Sequence, residues 1–117
     1  IMKKRENAKF YFNNLNDQYI KLPFEGKYEF NTYHTFVIQI DKRDALLQYL
    51  KENNIITAIH YPIPIHLQPA ASNLGYKRGD FPVTETQAER ILSLPVHQYL
   101  ENKEIVHVTE VINSFFE

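Results

Sequence analysis

Apolar residues recur at helical spacing in three segments of the chain. Steps of three and four residues place such side chains on one face of a helix. We therefore predict helices over 3–15, from a cap at Asp41 to a stop at Asn53 and Asn54, and over about 102–116. The apolar stripes are Ala8, Tyr11, Phe12 and Leu15, then Ala45, Leu46, Tyr49 and Leu50, and finally Ile105, Val108, Val111, Ile112, Phe115 and Phe116.

An alternating pattern over 33–40 predicts a β-strand. Phe36, Ile38 and Ile40 alternate with other side chains at the period of two that is typical of a strand. The intervening Val37 is also apolar, so the second face of this strand can be covered as well. A central position in a sheet is therefore expected.

Shorter patterns fill the rest of the chain. Residues 55–60 predict a second strand, and 94–96 predict an edge strand because a proline lies within it. The segment 84–87 fits the capping box that opens helices, so we predict a helix from there through Leu92. One or two helical turns before Gly75 are expected to end at that glycine.

This order of elements predicts an α/β (α+β) two-layer sandwich, with a small sheet of about three strands packed by helices, in one domain over 1–117. The net charge of -1 excludes a general attraction to nucleic acid or anionic membranes. The chain has no cysteine and no apolar segment typical of a signal peptide or a membrane span. We expect a cytoplasmic protein.

The segment from His60 to His66 concentrates the residues with the clearest binding chemistry. It consists of His-Tyr-Pro-Ile-Pro-Ile-His and directly follows a predicted strand. Two prolines stiffen this loop and lower the entropy that is lost when a ligand binds. His60, Tyr61 and His66 are therefore candidate contacts for a polar ligand. The alternative is a proline-rich turn whose histidines only cap backbone carbonyls, and the composition allows both.

The other histidines and the glycines indicate no further site. The two histidines of the loop are six residues apart, with no carboxylate or cysteine at a ligand spacing, so a zinc site is not expected. His97 and His107 border apolar segments and are assigned to packing, whereas Tyr33 and His34 are secondary candidates. With three glycines, the chain has no glycine-rich phosphate cradle and no nucleophile elbow.

From this loop onward the sequence resembles the DegT/DnrJ/EryC1/StrS family of sugar aminotransferases. The resemblance begins at Thr57-Ala58-Ile59-His60-Tyr61-Pro62 and continues in 63–70, 79–85 and 91–95. Residues 5–15 are similar to the helix that joins the two domains of the family. Because several motifs agree in order and spacing over nearly the whole chain, the resemblance is specific.

The resemblance implies a pyridoxal-phosphate enzyme whose large domain carries the cofactor and its lysine. No segment here resembles that lysine-bearing motif, so no catalytic residue is assigned, and 1–117 is expected to be the carboxy-terminal small domain without its large domain. His60 and Tyr61 match positions that line the sugar-nucleotide cleft at a homodimer interface. His66 matches a neighbouring position. The fragment is expected to bind no pyridoxal phosphate by itself and to be inactive alone.

The run 62–69 resembles most closely the members that act on 3-keto-6-deoxy sugars linked to a nucleoside diphosphate. A 3-keto substrate is thus favoured over a 4-keto substrate, with glutamate as amino donor. Asn54 stands where the family often has glycine, and asparagine can also adopt the left-handed conformation. The alternative function is a free-standing α/β module that binds a ligand or partner through the 60–66 loop without catalysis.

Overall fold

The computed structural model describes all residues from 1 to 117. Its regular elements are four α-helices, two β-strands and two short 3₁₀ helices. In chain order they are α1 (Met2–Asn14), β1 (Phe36–Gln39), α2 (Arg43–Glu52), the 3₁₀ helices Ile65–Leu67 and Pro69–Leu74, α3 (Pro82–Arg90), β2 (Ile91–Leu94) and α4 (Asn102–Phe115).

The two strands pair antiparallel, with Phe36 opposite Leu94 and Gln39 opposite Ile91. Phe36 and Ile38 are fully buried, whereas Val37 and Gln39 are half-buried, as the alternating pattern predicted. An isolated bridge from Lys21 to Gln39 extends the sheet beyond β1. The predicted α/β class, a small sheet packed by helices, is confirmed.

The sheet has two strands where about three were expected. The predicted strand over 55–60 contributes one isolated bridge, from Ala58 to Ser93. The predicted edge strand at 94–96 begins three residues earlier in the chain, because β2 spans Ile91–Leu94 and ends before Pro95. β2 is consequently flanked by β1 on one side and Ala58 on the other, just as β1 is flanked by β2 and Lys21.

The predicted start of α3 was also wrong. The helix begins at Pro82, a position where the fixed φ of proline and its missing N–H suit the first helical turn. It ends at Arg90, so Ile91 and Leu92 belong to β2 rather than to the helix. Instead of a capping box at Thr84, the carboxylate of Glu85 accepts the backbone N–H of Phe81, the residue before the helix, and that of Gly79.

One apolar core joins the helices to the sheet. α4 contacts both α1 and α2, α2 contacts β2, and α3 contacts β1. The core contains 19 buried residues, among which Tyr11, Phe36, Leu46, Leu92 and Ile112 are fully buried. None of the helices combines the length and the apolar composition that crossing a membrane requires.

The connections follow two of the predicted stop signals. Asn54, after α2, has a φ of 65°, and Gly75, after the second 3₁₀ helix, has a φ of 80°. The amide of Asn54 donates to the carbonyl of Lys51 at 3.1 Å, and that of Ile55 donates to Leu50 at 2.9 Å. This turn directs the chain from α2 back to β2 and into the 60–66 loop.

Candidate functional site

The 60–66 loop leaves the sheet at a defined point. Ala58 donates its N–H to the carbonyl of Ser93 at 3.4 Å and accepts the N–H of Ser93 at 2.8 Å. Two residues later the chain departs at His60, because Pro62 and Pro64 have no N–H to continue the ladder. The start of the loop is thus anchored to β2.

His60 and Tyr61 lie side by side at this departure. Their rings meet edge to face, with centroids 5.4 Å apart, and the peptide bond between them is cis. Tyr61 is 71% exposed. The imidazole of His60 is also exposed and lies 3.0 Å, through Nδ1, from the hydroxyl oxygen of Ser93. The predicted pair therefore presents a phenol and one free imidazole nitrogen to solvent.

His60 borders two grooves. The larger, of about 630 Å³, runs between the 54–58 segment, the end of β2 and the start of α4. Four of the five histidines line it, namely His34, His60, His97 and His107. The smaller groove, of about 320 Å³, includes Tyr61 and continues toward α3. We call the larger one the histidine groove.

The histidine groove carries polar groups that the sequence patterns did not single out. His97 and His107, assigned above to packing, are both exposed along it, and the Nε2 of His107 contacts the carbonyl of Asn53 at 3.1 Å. The buried hydroxyl of Thr57 has no hydrogen-bond partner. No three histidine or acidic side chains lie close enough together to hold a metal ion.

His66 lies in different surroundings. Its side chain is only 7% exposed, and its Nε2 is 3.3 Å from an oxygen of Glu85 without the alignment of a hydrogen bond. Its ring packs edge to face on Phe81, with centroids 4.8 Å apart. The structure brings His60 and Tyr61 together and separates His66 from them, so a ligand role for His66 stays a prediction.

Glu85 is the residue of α3 that contacts both His66 and the segment just before the helix. Its carboxylate accepts the N–H of Gly79 at 2.7 Å and that of Phe81 at 3.0 Å. The Gly79 hydrogen bond, followed by the Phe81 hydrogen bond and the nearby His66, holds the pKa of Glu85 below its usual value of 4.5. The charged carboxylate is thus the form that stabilises the turn.

The chain matches the sequence model of the DegT/DnrJ/EryC1/StrS aminotransferase family over residues 1–113. The chain belongs to this family. The family expected from the sequence motifs is therefore confirmed, and the fold agrees with it.

Individual relatives place this chain within longer proteins. A "Pleiotropic regulatory protein" of Geobacillus stearothermophilus is 40% identical over 79% of this chain and 24% of its own length. A dTDP-3-amino-3,6-dideoxy-alpha-D-galactopyranose transaminase of Aneurinibacillus thermoaerophilus is 34% identical over 97% of this chain and 31% of its own length. The chain thus spans about a quarter to a third of these relatives.

A solved structure of the family superposes closely. DesV of S. venezuelae, in complex with a ketimine intermediate, matches with a TM-score of 0.95 and 29% identity. The match covers 99% of this chain and 32% of DesV. The small α/β fold of this family member therefore corresponds to one part of a larger aminotransferase structure.

The family implies pyridoxal phosphate, and these residues do not fit its covalent attachment. A lysine that holds this cofactor is normally desolvated in a pocket. All nine lysines here are exposed or half-buried, and none lines the histidine groove. None of the nine lysines therefore has the surroundings expected of a lysine that holds this cofactor.

Proposed function

We propose that residues 1–117 form the carboxy-terminal small domain of a cytoplasmic, pyridoxal-phosphate-dependent aminotransferase. The enzyme transfers an amino group from glutamate to a keto-deoxysugar that is linked to a nucleotide. The family match over 1–113 and the likeness to DesV support this assignment. By itself the 117-residue chain is inactive in this reaction.

The observation that carries the proposal is the exposed His60–Tyr61 pair, in which His60 lines the histidine groove and Tyr61 lines the smaller groove beside it. Ser93 and the two prolines hold this pair in place, so little conformational entropy is lost on binding. An imidazole and a phenol can donate to and accept from the hydroxyl and carbonyl oxygens of a sugar. In this role the domain forms the wall of the substrate cleft and orients the sugar.

Pyridoxal phosphate, bound outside these residues, supplies the electron sink for amino transfer. The contribution of this chain is binding, orientation and exclusion of water. His66 is a neighbouring substrate contact, and the substrate would reach its ring from the side of Phe81.

The preferred substrate is a 3-keto rather than a 4-keto sugar. The transaminase of Aneurinibacillus thermoaerophilus, which is named for a 3-amino-3,6-dideoxy sugar linked to dTDP, supports this preference. Its 34% identity extends over 97% of this chain, including the whole 60–66 loop.

The active enzyme is a homodimer in which this loop lies at the interface. Ile63 and Ile65 are exposed next to the His60–Tyr61 pair, and apolar side chains on such a loop favour burial against protein. A second copy would then complete the cleft from the other side.

A second candidate is a free-standing module that binds a ligand or partner without catalysis. The name of the Geobacillus stearothermophilus relative, a regulatory protein, favours keeping this candidate. The natural reading frame separates the two functions. Several hundred further residues with a lysine-bearing cofactor motif support the enzyme, whereas a native start and stop around these residues support the module.

The direct test replaces His60 by alanine in the natural polypeptide that contains this chain. We expect KM for the nucleotide sugar to rise about tenfold, equivalent to one lost hydrogen bond. Because the Ser93 hydroxyl then loses its hydrogen-bond partner, the free energy of unfolding should fall by about 1 kcal/mol. Tyr28→Ala, at an exposed aromatic residue in another loop, is the control and should change neither quantity. An unchanged KM in a destabilised His60→Ala variant would assign His60 a structural role instead.

A further inference from the structure

Ser93 is a polar residue within β2. It is 8% exposed, and its neighbours Leu92 and Leu94 are buried in the core. Its backbone pairs with Ala58, while Val37 lies opposite on β1. A buried hydroxyl of this kind needs a hydrogen-bond partner.

The only side-chain hydrogen bond of Ser93 is with the Nδ1 of His60, at 3.0 Å. Two arrangements satisfy this distance. If Nδ1 carried the proton, it would donate to the serine, and the hydroxyl hydrogen of this 8% exposed residue would have no acceptor in the chain. If the hydroxyl donates to the lone pair of Nδ1, both groups are satisfied. The second arrangement is favoured, since a buried donor without an acceptor is costly.

A neutral imidazole carries one proton, so an accepting Nδ1 places that proton on Nε2. The Nε2 of His60 has no partner within the chain. It is therefore an N–H donor that is available to a ligand. His107 is the contrasting case, because its Nε2–H is already used by the carbonyl of Asn53 at 3.1 Å.

We propose that Ser93 is a positioning residue that fixes the ring of His60 in the Nε2–H tautomer. The site then offers one oriented N–H donor, which selects an oxygen acceptor and disfavours a ligand that presents an N–H or ammonium group there. That the acceptor belongs to a nucleotide sugar rests on the proposed function. The tautomer itself does not.

The tautomer is measured on the 117-residue chain, labelled with ¹⁵N, by long-range proton–nitrogen spectra at alkaline pH, where imidazoles are neutral. We expect an Nε2–H tautomer with a hydrogen-bonded Nδ1 for His60. In Ser93→Ala the Nδ1 resonance should shift toward that of a free acceptor, and the other tautomer should become detectable. Ser93→Thr, which keeps the hydroxyl on a residue that suits strands, should restore the wild-type signals.

Two controls separate positioning from misfolding. Ser114→Ala removes a hydroxyl that contacts Tyr49 on the other side of the core and should leave the signals of His60 unchanged. The signals of His107 report whether the groove is intact in every variant. A proton on Nδ1 in the wild type, or an Nδ1 signal that Ser93→Ala leaves unchanged, overturns the proposal.

An enzymatic readout distinguishes this proposal from the proposed function. In the natural polypeptide, Ser93→Ala should raise KM for the nucleotide sugar about three- to tenfold, with a smaller change in kcat and rescue by Ser93→Thr. If the Nδ1 signal shifts but KM does not, Ser93 positions the ring and the proposed substrate contact is wrong. If His60→Ala raises KM but Ser93→Ala changes neither signal nor KM, the contact stands and the positioning role is wrong.

Discussion

The two histidines of the 60–66 loop have opposite surroundings. His60 is exposed and contacts Ser93 through one ring nitrogen, whereas His66 is buried between Glu85 and Phe81. The loop therefore has a solvent-exposed first half and an anchored second half. The contact of His60 with Ser93 and the contacts of His66 with Glu85 and Phe81 hold the loop against the rest of the chain.

The charge of Glu85 should make the stability of the chain depend on pH. Its folded pKa is depressed, chiefly by the Gly79 N–H, so the ionised carboxylate stabilises the fold above the unfolded pKa near 4.5. This contribution is lost as pH falls through the folded pKa. We expect the free energy of unfolding, measured with urea and circular dichroism, to decrease from about pH 5 to pH 3.

Glu85→Gln should flatten this pH dependence, because its amide oxygen still accepts a hydrogen bond but does not titrate. Its destabilisation relative to wild type should consequently shrink toward low pH. The control is Glu89→Gln, on the same helix but 72% exposed, which should follow the wild-type curve. Parallel curves for Glu85→Gln and wild type would show that Glu85 does not contribute.

At the scale of elements, local patterns predicted what local signals determine. The stripes of α1 and α4 and the left-handed Asn54 were found from neighbouring residues alone, and that of α2 was found except for Ala45, which is exposed. The end of α3 was not, because Arg43 of α2 donates to the carbonyls of Ala88 and Ile91 at 2.9 and 3.0 Å. These contacts span more than 40 residues of sequence, and no local pattern reports them.

In the candidate site, too, features set by neighbouring residues were predicted and features set by distant residues were not. The loop composition predicted His60 and Tyr61 together, whereas the part played by Ser93 depends on which strand lies beside Ala58. The burial of His66 likewise depends on Glu85, a residue of the following helix. A serine within an apolar strand was the one available signal, since a buried hydroxyl needs a partner nearby.

The turn after α2 gives a prediction at this scale. Asn54 has a positive φ, which asparagine tolerates because its short polar side chain can hydrogen-bond locally, whereas alanine adopts it at a cost of about 1 kcal/mol. Asn54→Ala should therefore lower the free energy of unfolding by about 1 kcal/mol, and Asn54→Gly should leave it nearly unchanged. Asn73→Ala, at an exposed asparagine without a positive φ, is the matched control. Equal changes in the free energy of unfolding at both positions would show that the positive φ of Asn54 does not cause the effect.

At the scale of the whole molecule, one apolar core coexists with a polar groove that contains no lysine. The 19 core residues form one cluster, and the fold matches one third of DesV at a TM-score of 0.95. The groove beside His60 offers imidazoles and hydroxyls but no lysine. Such a surface offers hydrogen-bond donors and acceptors, and it presents no lysine for the covalent attachment of pyridoxal phosphate.

The absence of a lysine from the groove predicts how the 117-residue chain reacts with pyridoxal phosphate. Because every lysine is exposed or half-buried and none lies in the groove, no one of them has the desolvated setting that favours a specific adduct. After addition of equimolar cofactor and reduction with borohydride, peptide mass spectrometry should find label spread over several lysines, each well below one per chain. The urea-unfolded chain is the control and should show a similar spread. A single lysine that is labelled stoichiometrically only in the folded chain would place the covalent chemistry on this domain and contradict its assignment as the substrate wall.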